Sequence, residues 1–398
     1  MIAITGGKVF TVTQGVLEQG TVLVENGKIT AVGEHVAVPE GAQVYDAAGK
    51  WVTPGLIDAH THIAMNNEPL SYPCPSTDAC EMSDPIMAHV RAVDSIDPFD
   101  MSVGKAREAG FTTCFTGPGS VTNIMGPHPA NVIGGTGVSI KLKTANRMEQ
   151  MAVPGSQQMK MALGEDAKRY WSMKNKGPMT RMAVGALLRE TLYRARNYAD
   201  ALEKARQGGK APKPDFKLDA LVPVVRGEMK VRIHCHRADD IFTAIRIAEE
   251  YQLDYVIDHC TEGYKLAGVL REKQIPCVVG PLLIPPHRTE VWGCRQDNPA
   301  ILERAGVDFS LSGDGSSSTQ WLPFQIGYCM GFGLSFEAAL QGVTIRPARV
   351  LGLEHRVGSL EPGKDADIAV FTGDPFSNLT LCAATMIDGV WEYQREAN

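Results

Sequence analysis

Two His-x-His pairs stand at the ends of apolar segments of this sequence. His60 and His62 close a segment that begins with a Pro-Gly pair, and His234 and His236 close a second one. Alternate residues of a β-strand face the same side, so each pair would aim two imidazoles at one point. Neutral imidazole is a preferred ligand of zinc and related divalent ions. One such pair alone is weak evidence, but its position after an apolar strand favours a metal site.

Two further strand ends carry residues of the same chemistry. His259 closes the apolar segment 255–259, and Asp314 follows the segment 309–313. Either residue alone could be a hydrogen-bonded core histidine or an aspartate that caps the next helix. Such residues would not be expected to fall by chance at the ends of the first, fifth, sixth and eighth strands. The combination therefore predicts a metal centre.

The elements that would position these side chains are short apolar strands that alternate with helix-period segments. The predicted strands are the run ending at His60 and residues 111–116, 132–141, 157–163, 230–235, 254–259, 275–279 and 307–311. Eight strand–helix repeats over about 300 residues predict an α/β fold, a TIM-like (β/α)8 barrel, whose catalytic residues lie at the C-terminal ends of the strands. An open, doubly wound sheet is the alternative.

The two ends of the chain have a different pattern. Residues 1–53 and 355–398 consist of short β-rich runs separated by turns, among them the hairpin signal Asn26-Gly27. Neither part is long enough to close a core alone. We therefore predict one small β-sandwich domain, built from both termini, into which residues 54–354 are inserted as the barrel.

Composition excludes several classes of protein. The chain has 398 residues, of which 44% are hydrophobic and 21% charged, as in ordinary globular proteins. A formal net charge of −6 without long runs of one sign argues against nucleic-acid or membrane-surface binding. No apolar stretch is long enough to span a bilayer, and the N-terminus does not resemble a signal peptide. Nine scattered cysteines favour free thiols in the cytoplasm.

At this point the chain resembles the amidohydrolase superfamily of metal-dependent hydrolases, over essentially its whole length. The resemblance lies in residues 52–58 and 358–367, and residues 234–240 and 258–261 are most similar to the imidazolonepropionase-like and prolidase-like branch. It implies one or two divalent ions, zinc first, with manganese or iron(II) as alternatives. The residues it implies for the metal centre are His60, His62, His234, His259 and Asp314.

The fourth strand bears on how many ions the centre holds. Lys160 lies inside this strand, where binuclear relatives place a carboxylated lysine that bridges two ions, and Glu165 lies beyond its end. A lysine ammonium cannot ligate a metal, whereas its carbamate can. We expect Lys160 to be the bridging ligand, with Glu165 as the alternative. Alternatively, Lys160 has no role in metal binding, and its side chain simply extends from the strand end to solvent.

The resemblance implies hydrolysis by a metal-activated water. A bound divalent ion lowers the pKa of its water from about 15.7 to about 7. Asp314 would take the proton of the attacking water and deliver it to the departing nitrogen, acting as general base and then general acid. His236 and Arg237 are candidates for substrate binding, and His128 and His287 are weaker candidates for lining the pocket.

The predicted activity is cleavage of a C–N amide bond in a small molecule: a dipeptide, an N-acyl amino acid or a cyclic amide. A mononuclear ring-opening hydrolase of the imidazolonepropionase type is the first alternative. Deamination is less favoured, because deaminases of this superfamily usually carry a glutamate where this chain has Arg237. A non-catalytic barrel module is least favoured, because every expected ligand is present. Because dimers are common in the superfamily, the resemblance also makes a homo-oligomer possible.

Overall fold

The N-terminal strands supply five of the eight strands of a mixed sheet. The computed structural model describes residues 1–66, 78–119, 131–285, 288–315 and 318–396. The first strands are β1 (Ile2–Phe10), β2 (Val16–Glu25), β3 (Lys28–Gly33), β4 (Gln43–Asp46) and β5 (Trp51–Pro54). Asn26 and Gly27, with φ angles of 51° and 77°, connect β2 to β3. Positive φ at both turn residues is what a two-residue type I′ hairpin requires, so the hairpin prediction is confirmed.

A second sheet of eight strands follows in the middle of the chain. Its strands are β6 (Leu56–Thr61), β7 (Phe111–Thr116), β8 (Ile133–Lys141), β9 (Gln158–Ala162), β10 (Val231–Cys235), β11 (Tyr255–His259), β12 (Cys277–Val279) and β13 (Phe309–Leu311). Neighbours along the chain are neighbours in the sheet. The sheet curls until β13 comes close to β6, which gives a nearly closed barrel and confirms the predicted fold class.

Helices follow most of the barrel strands. They are α1 (Met101–Glu108), α2 (Met148–Met151), α3 (Asp166–Met173), α4 (Arg181–Arg206), α5 (Phe216–Val225), α6 (Ala238–Tyr251), α7 (Ala267–Glu272), α8 (Asn298–Ala305), α9 (Leu322–Met330), α10 (Phe336–Gly342) and α11 (Ile345–Leu351). The hydroxyl of Thr180 accepts from the backbone N–H of Ala183 at 3.1 Å and caps α4. Within the described ranges, no helix is both long and apolar enough to cross a membrane.

One barrel strand runs against the others. The strand β8 is antiparallel to β7 and to β9, with Gly135 opposite Lys160, whereas a regular (β/α)8 barrel has eight parallel strands. Apolar strand patterns carry no direction, so the sequence could not reveal the reversal. The start of β8, rather than its end, therefore lies beside the upper part of β9.

The last strands complete the N-terminal sheet. They are β14 (Ile368–Phe371), β15 (Cys382–Ile387) and β16 (Val390–Gln394). The sheet order is β16-β15-β14-β5-β1-β2-β3, with β4 beside β1. The antiparallel pair β5–β14, in which Val52 faces Val370, joins the two ends of the chain. Buried Ile4, Val22 and Met386 form part of the core of this sheet. Both termini thus build one sheet separate from the barrel, which confirms that the two ends of the chain join in one β unit.

Candidate metal centre

The floor of the candidate site is a buried arginine inside the barrel. Arg232 and His234 are two residues apart in β10, and both are fully buried. The guanidinium of Arg232 lies 4.4 Å from the ring centroid of Phe115 and donates to Oε1 of Gln158 at 3.2 Å. Because alternate strand residues share a face, Arg232 fills the layer below the imidazole of His234.

Asp258 connects this floor to the residues above it. It accepts from Nη2 of Arg232 at 2.5 Å and from Nζ of Lys160 at 2.7 Å. Its Oδ2 also lies 3.2 Å from Nδ1 of His60. Burial alone would raise the pKa of Asp258, but Arg232, His60 and Lys160 together hold it well below its usual range. Asp258 is therefore a carboxylate that fixes both Lys160 and His60.

The end of β11 departs from regular strand geometry. His259 and Cys260 have φ angles of 71° and 44°, in the left-handed region. This twist lets two consecutive residues, Asp258 and His259, both contact the interior of the barrel, where alternation would otherwise send one outward. The strain of a positive φ in a non-glycine residue is a feature that recurs at functional sites.

Two imidazoles are oriented by backbone carbonyls. Nδ1 of His62 lies 2.7 Å from the carbonyl oxygen of Gly117, and Nδ1 of His259 lies 2.8 Å from that of Gly280. A carbonyl only accepts, so Nδ1 must donate in both rings and the neutral Nε2 keeps its lone pair. Among the described residues, neither Nε2 has a hydrogen-bond partner. Metal-bound histidines are typically held in this way.

Asp314 brings a carboxylate to these rings. Its Oδ1 lies 3.2 Å from Nε2 of His60 and 3.9 Å from Nε2 of His62. One ligand atom from each of His60, His259 and Asp314 can be chosen so that all lie within 4.8 Å of one another. This spacing allows one ion to contact all three residues.

Asp58 connects the two strand ends that position His60 and Asp314. Its side chain accepts from the backbone N–H of Gly313 at 3.0 Å and from the hydroxyl of Thr319 at 3.0 Å. It also accepts from the backbone N–H of His60 at 3.1 Å. The side chain thus bridges the seam between β6 and the end of β13, and it fixes the positions from which His60 and Asp314 extend.

A second group of imidazoles adjoins the first. The rings of His234, His236 and His259 have centroids 4.3 to 4.8 Å apart, and His236 stacks on His259. Nδ1 of His236 lies 2.7 Å from the hydroxyl oxygen of Thr261. One nitrogen of each ring lies within 4.8 Å of the others.

The protonation state of these rings suits metal binding. Burial, followed by the charge of nearby His60, lowers the pKa of His62 to about 4. Burial also holds the pKa values of His234 and His259 well below the usual range. His62, His234 and His259 are therefore neutral near pH 7, and only neutral imidazole can ligate an ion. The donor set of imidazoles and one carboxylate fits a divalent transition metal.

Sequence reasoning missed an acidic group beside His234. Oδ2 of Asp166 lies 3.3 Å from Nε2 of His234, and Glu290 completes a third set of ligand atoms within 4.8 Å of one another. Gly164, with φ of 94°, makes room, since a Cβ there would lie 2.2 Å from Oε1 of Glu290. Two consecutive acidic residues after the fourth strand were the available signal for Asp166. Glu290, in a loop, has no such signal.

The structure separates the remaining candidates. The amine of Lys160 lies inside the barrel, bound to Asp258, whereas the half-buried side chain of Glu165 lies 3.9 Å from Arg169. Arg237 is the N-cap residue of α6, and its partly exposed guanidinium donates to Asp239 at 2.9 and 3.0 Å. His128 and His287 lie outside the described residues.

Comparison with known proteins identifies the family. The Amidohydrolase family model matches residues 295–394. A crystal structure of an amidohydrolase from Thermotoga maritima is 36% identical, with a TM-score of 0.91, and the match covers 99% of this chain and 100% of that one. The chain belongs to the amidohydrolase family. It is an enzyme, a metal-dependent hydrolase, and the predicted family is confirmed.

Two curated relatives of the family extend the comparison. Amidohydrolase tasK of Hapsidospora irregularis is 27% identical over 395 residues, which are 94% of this chain but only 40% of that protein. This chain therefore spans less than half the length of tasK. Imidazolonepropionase of Maricaulis maris is 24% identical over 371 residues, covering 90% of this chain and 88% of that protein.

Proposed function

We propose that this enzyme hydrolyses a C–N amide bond of a small molecule, in a dipeptide, an N-acyl amino acid or a cyclic amide. The observation that carries the proposal is the group formed by His60, His259 and Asp314, whose ligand atoms lie within 4.8 Å of one another. A carboxyl group among imidazoles combines metal ligands with a general base, which is what water needs in order to attack an amide.

We propose that zinc is the resident ion. The residues that would hold it are His60, His62, His234, His259 and Asp314, together with Lys160 as its carbamate. When bound, a divalent ion supplies Lewis acidity, which lowers the pKa of water and polarises a carbonyl group. Cys260, although next to His259, is not needed in this set.

Asp314 is the proposed proton carrier. Among the described residues its Oδ1 has no hydrogen-bond partner, and its backbone N–H donates to the hydroxyl of Ser312 at 3.0 Å, which fixes the residue. This oxygen can accept the proton of the attacking water and return it to the departing nitrogen. His236, which contacts Thr261 and stacks on His259, is the proposed substrate-binding residue.

Lys160 is proposed to carry a carbamate. Burial is the largest influence on its amine and, with the charge of Arg232, lowers its pKa, although Asp258 raises it. A larger share of neutral amine favours reaction with carbon dioxide, because the ammonium has no lone pair. The competing possibility is that Lys160 stays an ammonium ion paired with Asp258, which would leave a mononuclear centre.

A mononuclear ring-opening hydrolase is the second candidate. The ion pair between Lys160 and Asp258 favours it, since a lysine held in this pair does not bridge two ions. The similarity to an imidazolonepropionase over 90% of the chain agrees with this candidate. Deamination has no comparable support, because Arg237 occupies the position at which a glutamate would be expected.

A substrate screen tests the proposal. Protein loaded with zinc or manganese is incubated with dipeptides, N-acyl amino acids and cyclic amides, and the released amines or opened rings are measured. We expect metal-dependent turnover of at least one of these classes, and its loss in Asp314→Asn. Turnover confined to imidazolone rings would favour the second candidate. Release of ammonia from ring amines alone would contradict amide hydrolysis.

A further inference from the structure

Arg288 is a buried cation beside the imidazole groups that the proposed reaction has not used. It lies in the connection that follows β12 and is only 6% exposed. Long, charged side chains are rarely buried unless they are paired or functional. The groups that contact the guanidinium of Arg288 therefore indicate its role.

The guanidinium lies between the acidic group and the imidazoles. Nη1 donates to Oδ1 of Asp166, whose other oxygen faces His234. Nη2 lies 3.4 Å from Nε2 of His236. Nε is buried and has no hydrogen-bond partner among the described residues. One donor of Arg288 is thus available in a buried site next to the residues proposed to hold the ion.

The charge of Arg288 also reaches the proposed base. Burial alone would lower the pKa of this guanidinium, but Asp166, Glu290 and Asp314 raise it. Arg288 contacts His236, whose ring stacks on that of the proposed ligand His259. An anion bound by Arg288 would therefore lie close to the proposed metal centre.

The chemistry of a guanidinium selects the class of ligand. Its planar set of N–H donors matches a carboxylate, and it keeps its proton and its charge. The attraction between this charge and an anion is stronger where water is excluded. Arg237 is a weaker alternative, because Nε and Nη2 of its guanidinium are already paired with Asp239.

We propose that Arg288 recognises a carboxylate of the substrate, so that the enzyme acts on amides that carry a free carboxylate close to the scissile bond. This inference rests on the proposed amide hydrolysis and narrows it to N-acyl amino acids and dipeptides. The purely structural role, in which Arg288 only neutralises Asp166 and Glu290, makes a different prediction. In that case the loss of Arg288 would affect folding or metal content, and the enzyme would show no preference between acids and their neutral analogues.

The test compares N-acetyl-L-amino acids with their matched carboxamides, using the metal-loaded enzyme. Arg288→Met removes the charge, Arg288→Lys keeps it without the fork, and Arg295→Met is a control. The guanidinium of Arg295 is exposed and pairs with Asp297 at 2.6 Å. We expect the wild type to prefer acids by about 10- to 100-fold in kcat/KM, the range for a charged hydrogen bond.

Arg288→Met should remove this preference chiefly through KM for the acids, Arg288→Lys should keep part of it, and Arg295→Met should keep all of it. Retention of the preference in Arg288→Met, or its loss in Arg237→Met instead, would overturn the proposal. A wild type that never prefers an acid to its carboxamide, in turnover or in binding, would also overturn it.

Calorimetry separates this inference from the proposed function. Binding of the same N-acetyl amino acids and carboxamides is measured with metal-loaded wild type and Arg288→Met. If no amide is hydrolysed but acids bind more tightly, and this difference disappears in Arg288→Met, amide hydrolysis fails and the role of Arg288 stands. If amides are hydrolysed and both proteins bind acids and carboxamides alike, the role of Arg288 fails alone.

Discussion

Nε2 of His60 and Oδ1 of Asp314 lie 3.2 Å apart, although His60 lies in the first strand of the barrel and Asp314 follows the last one. Their approach depends on the seam of the barrel, where Asp58 accepts hydrogen bonds from the backbone of both His60 and Gly313. The barrel must therefore close before this part of the site exists. That dependence links the fold of the enzyme directly to its proposed chemistry.

Asp314→Asn should keep the fold and most of the metal yet lose at least about 100-fold in turnover, because an amide cannot act as the base. Circular dichroism and metal analysis serve as controls for folding and loading. Turnover close to that of the wild type would remove Asp314 from the proposed role.

Asp258→Asn should destabilise the protein by about 3 to 5 kcal/mol, because it leaves the buried charges of Arg232 and Lys160 without their partner. The matched control is Asp297→Asn, which breaks the exposed pair with Arg295 and should cost about 1 kcal/mol or less. Urea unfolding of the metal-free proteins measures both. Equal effects of the two substitutions would show that Asp258 does not hold the floor of the site.

His60→Ala and His62→Ala should each lower the metal content of the purified protein, since removal of one imidazole leaves an ion under-coordinated. His355→Ala, which changes an exposed histidine, is the control and should keep the content of the wild type. Inductively coupled plasma mass spectrometry gives the number of ions per chain. Full occupancy in both variants would mean that β6 does not supply ligands.

The metal-free enzyme should lose stability as the pH falls from about 6.5 to about 4. Burial lowers the pKa of His62 to about 4, so in this window the unfolded chain binds a proton at His62 that the folded chain does not. The free energy of unfolding should therefore fall with pH by a few kcal/mol in all, because each tenfold difference in proton affinity between the two states is worth about 1.4 kcal/mol. A His62→Phe variant whose urea midpoint shows the same slope over this window would contradict the assignment.

The residues at strand ends could be predicted because their signal is local. An apolar run sets the strand, and the spacing of two between His60 and His62 sets the side that both rings face. The same holds for His234 and His236. The hairpin at Asn26-Gly27 was likewise predictable, since it depends only on the conformations that two residues allow.

Other features depend on tertiary contacts that the sequence does not encode locally. Asp166 and Arg288 meet because the loops after the fourth and seventh strands converge, and neither loop carries a periodic pattern. The reversed direction of β8 was missed because the hydrophobic pattern of a buried strand is the same in both directions. Arg237 follows a histidine of the site, but its place at the start of α6 brings it to Asp239.

The number of divalent ions per chain tests the central claim most directly, that these buried imidazoles and Asp314 form a metal centre with Lys160 as its bridge. Protein purified without chelators, and apo protein reconstituted with zinc and bicarbonate, are analysed together with Lys160→Ala and Glu165→Ala. We expect about two ions in the wild type and in Glu165→Ala, and one or none in Lys160→Ala. Loss of metal in Glu165→Ala alone would contradict the bridging role of Lys160, and a wild type that holds no divalent ion under either condition would contradict the metal centre itself.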